Sequence, residues 1–151
     1  MKKVATLFDE YAAYHRTAGN KAFHRIGIPL IVLSLLGLLS HLEIARFGDV
    51  RIDAAVLLIV LAEVWYLMLE WRLATIMGVI VVVFYAVSLF LPLWLLWSLF
   101  VLGWILQFIG HSVYEKRQPA FATNLVHLLV GPLWIVDDLI RIVASSSASK
   151  V

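Results

Sequence analysis

The stretch LATIMGVIVVVFYAVSLFLPLWLLWSLFVLGWILQFIGHSVY, from Leu73 to Tyr114, contains 42 consecutive residues without Asp, Glu, Lys or Arg. A helix crosses the hydrocarbon core of a bilayer in about 20 residues, so this stretch is long enough to cross twice. Leu91-Pro92 is the expected break between the two spans, because proline pushes the preceding residue out of the α region. The sequence therefore predicts two membrane-spanning helices here.

Two further apolar runs precede this stretch, from Ile26 to Leu42 and from Ala54 to Trp71. Hydrophobic residues make up 63% of the 151-residue chain, whereas a soluble domain averages roughly 45–50%. Inside a bilayer the backbone N–H and C=O groups must bond within each segment, so all these runs are predicted to be helices. We expect an all-α, multi-pass integral membrane bundle of four spans, forming one domain over residues 1–144.

The segments on either side of the spans are expected to be less regular. Val4 to Arg16 has its apolar residues at helical spacing and predicts an amphipathic helix on the membrane surface, followed by a turn at Gly19-Asn20. Leu125 to Val143 is interrupted by Gly131-Pro132 and predicts a re-entrant or interfacial helix, with a fifth span as the alternative. The serine-rich tail, residues 145–151, is expected to be disordered.

The positions of Lys and Arg predict the orientation of the spans. With four crossings, ten of the 12 Lys and Arg residues lie on the side of the N-terminus, and Arg46 and Arg51 lie on the other. Cytoplasmic loops carry an excess of Lys and Arg, so both termini are predicted to be cytoplasmic.

This topology also sorts the five histidines. An even number of crossings separates His15 and His24 from His111 and His127, which predicts that all four lie at the cytoplasmic face. His41, at the far end of the first span, is expected on the opposite side. Side chains that are far apart in the sequence are therefore predicted to share one water–lipid boundary.

These histidines suggest a metal site. Imidazole is the commonest metal ligand in proteins, and Glu115 lies four residues after His111, on the same face of a helix. Nitrogen ligands with a carboxylate and open positions suit non-haem Fe(II) oxygen chemistry. A single histidine at a membrane interface is more often a hydrogen-bonded anchor, and Glu63, within the second span, is more simply a helix-packing group than a proton relay. Because four histidines and one carboxylate are expected at the same face, a metal site explains them as well as anchoring at the interface does.

Composition excludes several other classes of function. The chain has no cysteine, so it contains neither disulfides nor thiolate metal sites. A net charge of +2 is too small to suggest a nucleic-acid partner, and neither a phosphate-binding loop nor a Ser-His-Asp pattern is present.

Two blocks of the sequence resemble a known membrane family, the 2-hydroxy fatty acid dioxygenases, whose fungal branch is characterised. The first block comprises Tyr14-His15-Arg16, Gly19-Asn20-Lys21, His24 and Ile26-Gly27-Ile28-Pro29. The second comprises Gln107, Ile109-Gly110-His111, Glu115-Lys116, Pro119-Ala120, Asn124, His127 and Gly131-Pro132. The chain departs from the usual pattern at Ala18, where proline is expected, and at Asp137, where glutamate is common.

The resemblance implies an enzyme of fatty acid α-oxidation that uses Fe(II) and O₂ to shorten a long-chain 2-hydroxy fatty acid by one carbon. It further implies that the iron ligands are His15, His24, His111 and His127. On this hypothesis Glu115 completes the ligand set or orients His111, and Arg16 clamps the substrate carboxylate. The short chain suggests the inner membrane of a bacterium, or the endoplasmic reticulum if the source is eukaryotic.

Three other interpretations remain open. The first is a non-catalytic membrane scaffold or lipid-binding protein, in which the histidines only anchor helices at the interface. The second is a zinc-dependent lipid hydrolase, which consumes no O₂. The third is a bis-histidine haem protein.

Overall fold

The computed structural model describes residues 4–148 and consists mainly of helices. Six α-helices and one short β-hairpin follow in chain order: α1 Val4–Ala12, α2 Ala18–Leu39, β1 Glu43–Phe47, β2 Val50–Asp53, α3 Ala54–Leu69, α4 Trp71–Ser88, α5 Leu93–Ile109 and α6 His127–Ala148. A π-helical turn, Gly110–Glu115, continues α5, and a 3₁₀ turn, Ala120–Ala122, precedes α6. The predicted helical architecture is confirmed, with the hairpin as an addition.

Three helices within residues 4–148 are long and apolar enough to cross a membrane: Ala18–Leu39, Trp71–Ser88 and Leu93–Glu115. The fourth predicted span corresponds to α3, which is apolar but has 16 residues. At 1.5 Å per residue it is about 24 Å long, against a hydrocarbon core of about 30 Å. The count of four spans therefore stays a prediction, whereas the apolar helical bundle is established.

The α2 helix forms the centre of the bundle and contacts α3, α4, α5 and α6. Its closest neighbour is α5, because Gly27 on α2 and Gly103 on α5 face each other. A Cβ atom at either glycine would lie 2.9 Å from the carbonyl oxygen of the other, so side chains there would force the helices apart. This crossing determines how the histidine-bearing ends of α2 and α5 meet.

The N-terminal helix runs from Val4 to Ala12 and so ends before Arg16, and its position on a membrane surface stays a prediction. Leu7 and Tyr11 are buried, as their helical spacing predicted, and they pack against Val130 and Trp134 of α6. The turn predicted at Gly19-Asn20 is wrong. Thr17 caps the N-terminus of α2 by accepting a hydrogen bond from the Asn20 N–H, so both residues lie in the first helical turn.

The α6 helix is continuous from His127 to Ala148, with Pro132 inside its second turn. Its apolar face is buried between α1 on one side and α3 and α4 on the other, through Leu133, Trp134 and Val136. Protein covers this face, and α6 is not among the three candidate spans, so its re-entrant or interfacial placement stays a prediction. Residues 145–148, predicted to be disordered, continue the helix; residues 149–151 lie outside the described part.

The β-hairpin was not predicted. Phe47 pairs with Val50 across a two-residue turn, in which Gly48 has a φ of +61°. Such turns need positive φ, which glycine adopts without steric cost. The sequence Gly-Asp between alternating apolar and polar residues was the available signal, but the long neighbouring helical runs outweighed it.

Candidate metal centre and apolar cavity

Three of the predicted ligands, His15, His24 and His111, converge at one end of the bundle. One potential ligand atom from each side chain lies within 4.8 Å of the others. The ring centroids are 4.4 Å apart for His15–His24, 4.9 Å for His15–His111 and 4.8 Å for His24–His111. All three side chains are at most 2% exposed. An approximately equilateral set of buried imidazoles is suited to holding a cation.

Different elements supply the three imidazoles. His15 lies in the connection between α1 and α2, His24 in the second turn of α2, and His111 in the π-helical turn after α5. Gly110 allows this turn to approach α2, since a Cβ atom there would clash with the Asn20 side chain and lie 3.3 Å from the His24 ring. π-turns occur frequently at functional sites. Here the turn places His111 beside His24.

Backbone carbonyls orient the histidine rings. The Nδ1–H groups of His15 and His24 donate to Tyr11 O at 2.7 Å and to Asn20 O at 3.0 Å. A carbonyl oxygen only accepts, so Nδ1 must carry the proton in both rings, and the lone pair is then on Nε2. This carbonyl–imidazole arrangement typically supports metal-binding histidines. Within residues 4–148, His15 Nε2 and His111 Nδ1 are buried without a hydrogen-bond partner.

The electrostatics of His15 favour the neutral ring. Burial lowers the pKa of His15 from 6.5 to about 4, and this outweighs the opposing effect of its hydrogen bond to Tyr11. Tyr11 also stacks on the ring, with centroids 4.0 Å apart. Because metals bind the neutral imidazole, His15 has no proton to release at neutral pH.

His127 lies beside this group but is not one of its three members. Its Nδ1–H donates to Ala120 O at 3.1 Å, again leaving the lone pair on Nε2. Among the described side chains, Nε2 makes no hydrogen bond; it lies 3.9 Å from Glu10 Oε2, beyond hydrogen-bonding distance. His127 is buried and borders the same cavity as the other three. Its role as a fourth ligand stays a prediction.

The Glu115 carboxylate accepts hydrogen bonds at the N-terminus of α2. Its Oε1 accepts from the Thr17 N–H at 2.7 Å and from the Thr17 hydroxyl at 3.1 Å. A carboxylate at a helix N-terminus is also favoured by the helix dipole. These bonds connect the π-turn that carries His111 to the segment that carries His15. The predicted catalytic role of Glu115 is untested, but its structural role is clear.

The remaining candidates are not members of the histidine group. Arg16 has an exposed side chain and is not among the residues that line the cavity described next, so the predicted carboxylate clamp stays a prediction. His41 is exposed at the other end of α2, and its place on the opposite side of a membrane stays a prediction. Glu63 packs against Gly78 of α4: a Cβ atom there would lie 3.1 Å from its Oε1. This contact fits the helix-packing interpretation of Glu63.

An apolar cavity of about 410 Å³ begins at the histidines and continues between the helices. Its volume falls within the range of roughly 300–1,000 Å³ that is typical of ligand pockets. Its polar end is formed by Tyr11, Gln107 and the four histidines His15, His24, His111 and His127. The remaining lining is mainly aliphatic and aromatic.

Gln107 belongs to the second sequence block, but no role at the site was predicted for it from the sequence. Its side chain is 4% exposed, and within the described chain its buried Nε2 has no hydrogen-bond partner. The amide is packed against Gly27, where a Cβ atom would clash with it. An unsatisfied buried donor costs about 1–3 kcal/mol. Its position one helical turn before His111, on the same helix face, was the available sequence signal.

The comparisons with known proteins point to one family. A family model described as 2-hydroxy-palmitic acid dioxygenase Mpo1-like matches residues 1–142. The 2-hydroxy-palmitic acid dioxygenase MPO1 of Saccharomyces cerevisiae is 32% identical over 137 residues, covering 86% of this chain and 75% of the yeast protein. No solved structure matches the chain.

Proposed function

The chain belongs to the 2-hydroxy-palmitic acid dioxygenase Mpo1-like family, as the two sequence blocks predicted, and we propose that it is an Fe(II)-dependent dioxygenase of long-chain 2-hydroxy fatty acids. The proposed reaction uses O₂ to shorten the acid by one carbon. The name of the yeast relative supports the substrate class and the use of oxygen. The iron requirement and the residue roles are our inference.

One observation carries the proposal: the group of His15, His24 and His111 lies at the polar end of an otherwise apolar cavity. A 2-hydroxy fatty acid has the same division, with a carboxylate and a hydroxyl at one end and a hydrocarbon chain at the other. The head of the acid would meet the imidazoles while its chain stays out of water. Burying the chain contributes about 0.8 kcal/mol per methylene.

The histidines fit a metal cofactor. His15, His24 and His111 would hold the ion, with His127 as a fourth candidate ligand. Imidazole suits zinc, copper, iron and nickel alike, so the family's dioxygenase activity is what favours iron. A bound Fe(II) would supply the redox centre at which the 2-hydroxy acid and O₂ react.

The protein groups around the centre would orient the substrate and exclude water. The Gln107 amide donates a hydrogen bond to an oxygen of the substrate head, which satisfies an otherwise orphaned donor. Tyr11 holds the His15 ring by stacking and through its own carbonyl. Glu115 and Thr17 keep the two histidine-bearing segments together.

We further propose that α2 to α5 all cross the bilayer and that the histidine end faces the cytoplasm of a bacterial cell. The distribution of Lys and Arg supports this orientation. Thinning of the bilayer around α3 would accommodate its shorter length.

The test is reconstitution of metal-stripped protein in detergent or nanodiscs with Fe(II), and in parallel with Zn(II). With 2-hydroxypalmitate we expect O₂ uptake and an acid shorter by one carbon, detected by mass spectrometry, only in the iron sample. His24→Ala should abolish both iron binding and turnover, and His41→Ala should change neither.

The alternatives predict different results. Substrate consumption with zinc and without O₂ uptake would identify a hydrolase. Protein that binds no metal stoichiometrically, and whose stability is unchanged by chelator, would be a scaffold or lipid-binding protein. A Soret band in the purified protein would indicate haem.

A further inference from the structure

We propose that the cavity selects the substrate by its chain length, with Leu36 of α2 and Phe100 of α5 forming the wall that the end of the acyl chain meets. This inference rests on the proposed function and adds a specificity determinant to it. It depends on where the cavity ends, and the cavity-lining residues of two helices each indicate this depth.

The first helix is α2. Cavity-lining residues follow one face of it from His24 through Ile28 and Val32 to Leu36, and the next residue, Gly37, is not among them. Leu36 lies 12 residues beyond His24, a distance of about 18 Å along a helix. The side chain of Leu36 is 3% exposed.

The second helix is α5, which runs in the opposite direction. Its cavity-lining residues extend from His111 back through Gln107 and Trp104 to Phe100. Phe100 lies 11 residues before His111, which corresponds to about 16 Å along a helix. Both helices therefore give nearly the same depth below the histidines.

The residues just beyond this level on the two helices pack against each other. Immediately beyond Leu36, a Cβ atom at Gly37 would lie 2.5 Å from the Leu96 side chain, and Leu96 is completely buried. Gly37 and Leu96 are thus in contact and neither lines the cavity, so the lining on α2 and α5 stops at Leu36 and Phe100.

The depth corresponds to a long acyl chain. The hydrocarbon core of a bilayer is about 30 Å thick, so the acyl chains of one leaflet extend about 15 Å. A cavity of about 16–18 Å therefore accommodates one chain of the length found in membrane lipids. Shorter acids would leave the end empty, and longer ones would meet Leu36 and Phe100.

The experiment compares 2-hydroxypalmitate with homologues two and four carbons shorter and longer, using iron-loaded protein. For the wild type we expect kcat/KM to rise about fourfold per added methylene, the effect of burying one methylene, and then to fall once the chain exceeds the cavity. Leu36→Ala should move the optimum to longer chains by about two carbons. The ratio of kcat/KM for the longer homologue to that for the original optimum should rise roughly tenfold.

Two further variants distinguish a change in chain-length preference from a folding defect. Phe100→Leu removes volume from the opposite wall at a half-buried position and should move the optimum in the same direction. Leu33→Ala is the matched control, because Leu33 lies on α2 but does not line the cavity. A second readout, thermal stabilisation of metal-free protein by each acid, should show the same preferences without any reaction.

The possible failures are distinguishable. If the wild type processes the homologues but Leu36→Ala and Phe100→Leu keep the profile of Leu33→Ala, chain-length selection at this wall is wrong and the proposed function stands. If iron-loaded wild type processes none of the acids, the proposed function fails, and this inference fails with it.

Discussion

Polar side chains are buried at both ends of the helical bundle, but they have a full set of hydrogen-bond partners at only one end. At the hairpin end, Asp53 is fully buried and accepts hydrogen bonds from the Tyr85 hydroxyl at 2.6 Å and the Val56 N–H at 3.0 Å. Arg51 completes this group with an ion pair at 3.5 Å. At the histidine end, His15 and His111 each bury a ring nitrogen that has no hydrogen-bond partner within residues 4–148.

This difference distinguishes a hydrogen-bonded structural group from a group of buried ring nitrogens without partners. A buried hydrogen bond contributes about 1 kcal/mol, and a buried group without a partner costs about 1–3 kcal/mol. The Asp53 group stabilises the junction between β2, α3 and α4. The histidine group reduces stability while its ring nitrogens have no partner, which is the arrangement expected of a ligand site.

The largest effect is expected from removing one of the converging histidines. His111→Ala should weaken iron binding by more than about 100-fold, since even losing a supporting residue around a metal costs about 10–100-fold. The measurement is iron content together with turnover of 2-hydroxypalmitate. His41→Ala, at the hairpin end, is the matched control. Full iron occupancy in His111→Ala would contradict the proposed centre.

Acidification should destabilise the metal-free protein through the histidine end. The pKa of His15 is about 4 in the folded state and 6.5 in the unfolded state, so the unfolded chain takes up a proton that the folded chain rejects. The contribution of His15 to stability is therefore fully present above pH 6.5 and is lost as the pH drops towards 4, which amounts to about 3 kcal/mol.

Unfolding of chelator-treated protein in detergent at several pH values measures this effect. His15→Gln should reduce the pH dependence between 6.5 and 4. An unchanged dependence in this variant would show that His15 is not its source.

At the hairpin end, Asp53→Ala should lower the free energy of unfolding by about 2 kcal/mol, because it removes the N-cap of α3 and leaves Tyr85 without its acceptor. Iron content should not change. Asp49→Ala, in the exposed turn, should leave stability unaltered within about 0.5 kcal/mol. Loss of iron from folded Asp53→Ala protein would mean that the two ends are coupled.

The smallest effect is expected at Glu115, which is polar, satisfied and close to the histidines. Glu115→Gln keeps an oxygen that accepts from Thr17, so it should cost about 1 kcal/mol or less and retain iron. Glu115→Ala should be more destabilising. Loss of iron from a well-folded Glu115→Gln variant would instead support the ligand role that the sequence predicted.

Much of the secondary structure of this protein follows from local properties of its sequence. Apolar runs specify helices because a bilayer offers the backbone no other partners, and that argument requires no tertiary information. The spacing of Leu7 and Tyr11 identified the buried face of α1. Counting predicted crossings placed His15, His24, His111 and His127 at one end, and the structure brings three of them together and places the fourth beside them.

Tertiary structure decided which side chains meet. The sequence treated four histidines as equivalent and Glu115 as part of the centre, whereas His127 lies outside the group of three and Glu115 binds Thr17, 98 residues earlier in the chain. The close approach at Gly27 and Gly103, and the π-turn at Gly110–Glu115, set these contacts. Whether a segment forms a helix depends mainly on residues that are close together in the sequence. The convergence of side chains and the depth of a cavity depend on how distant helices pack, which local spacing does not specify.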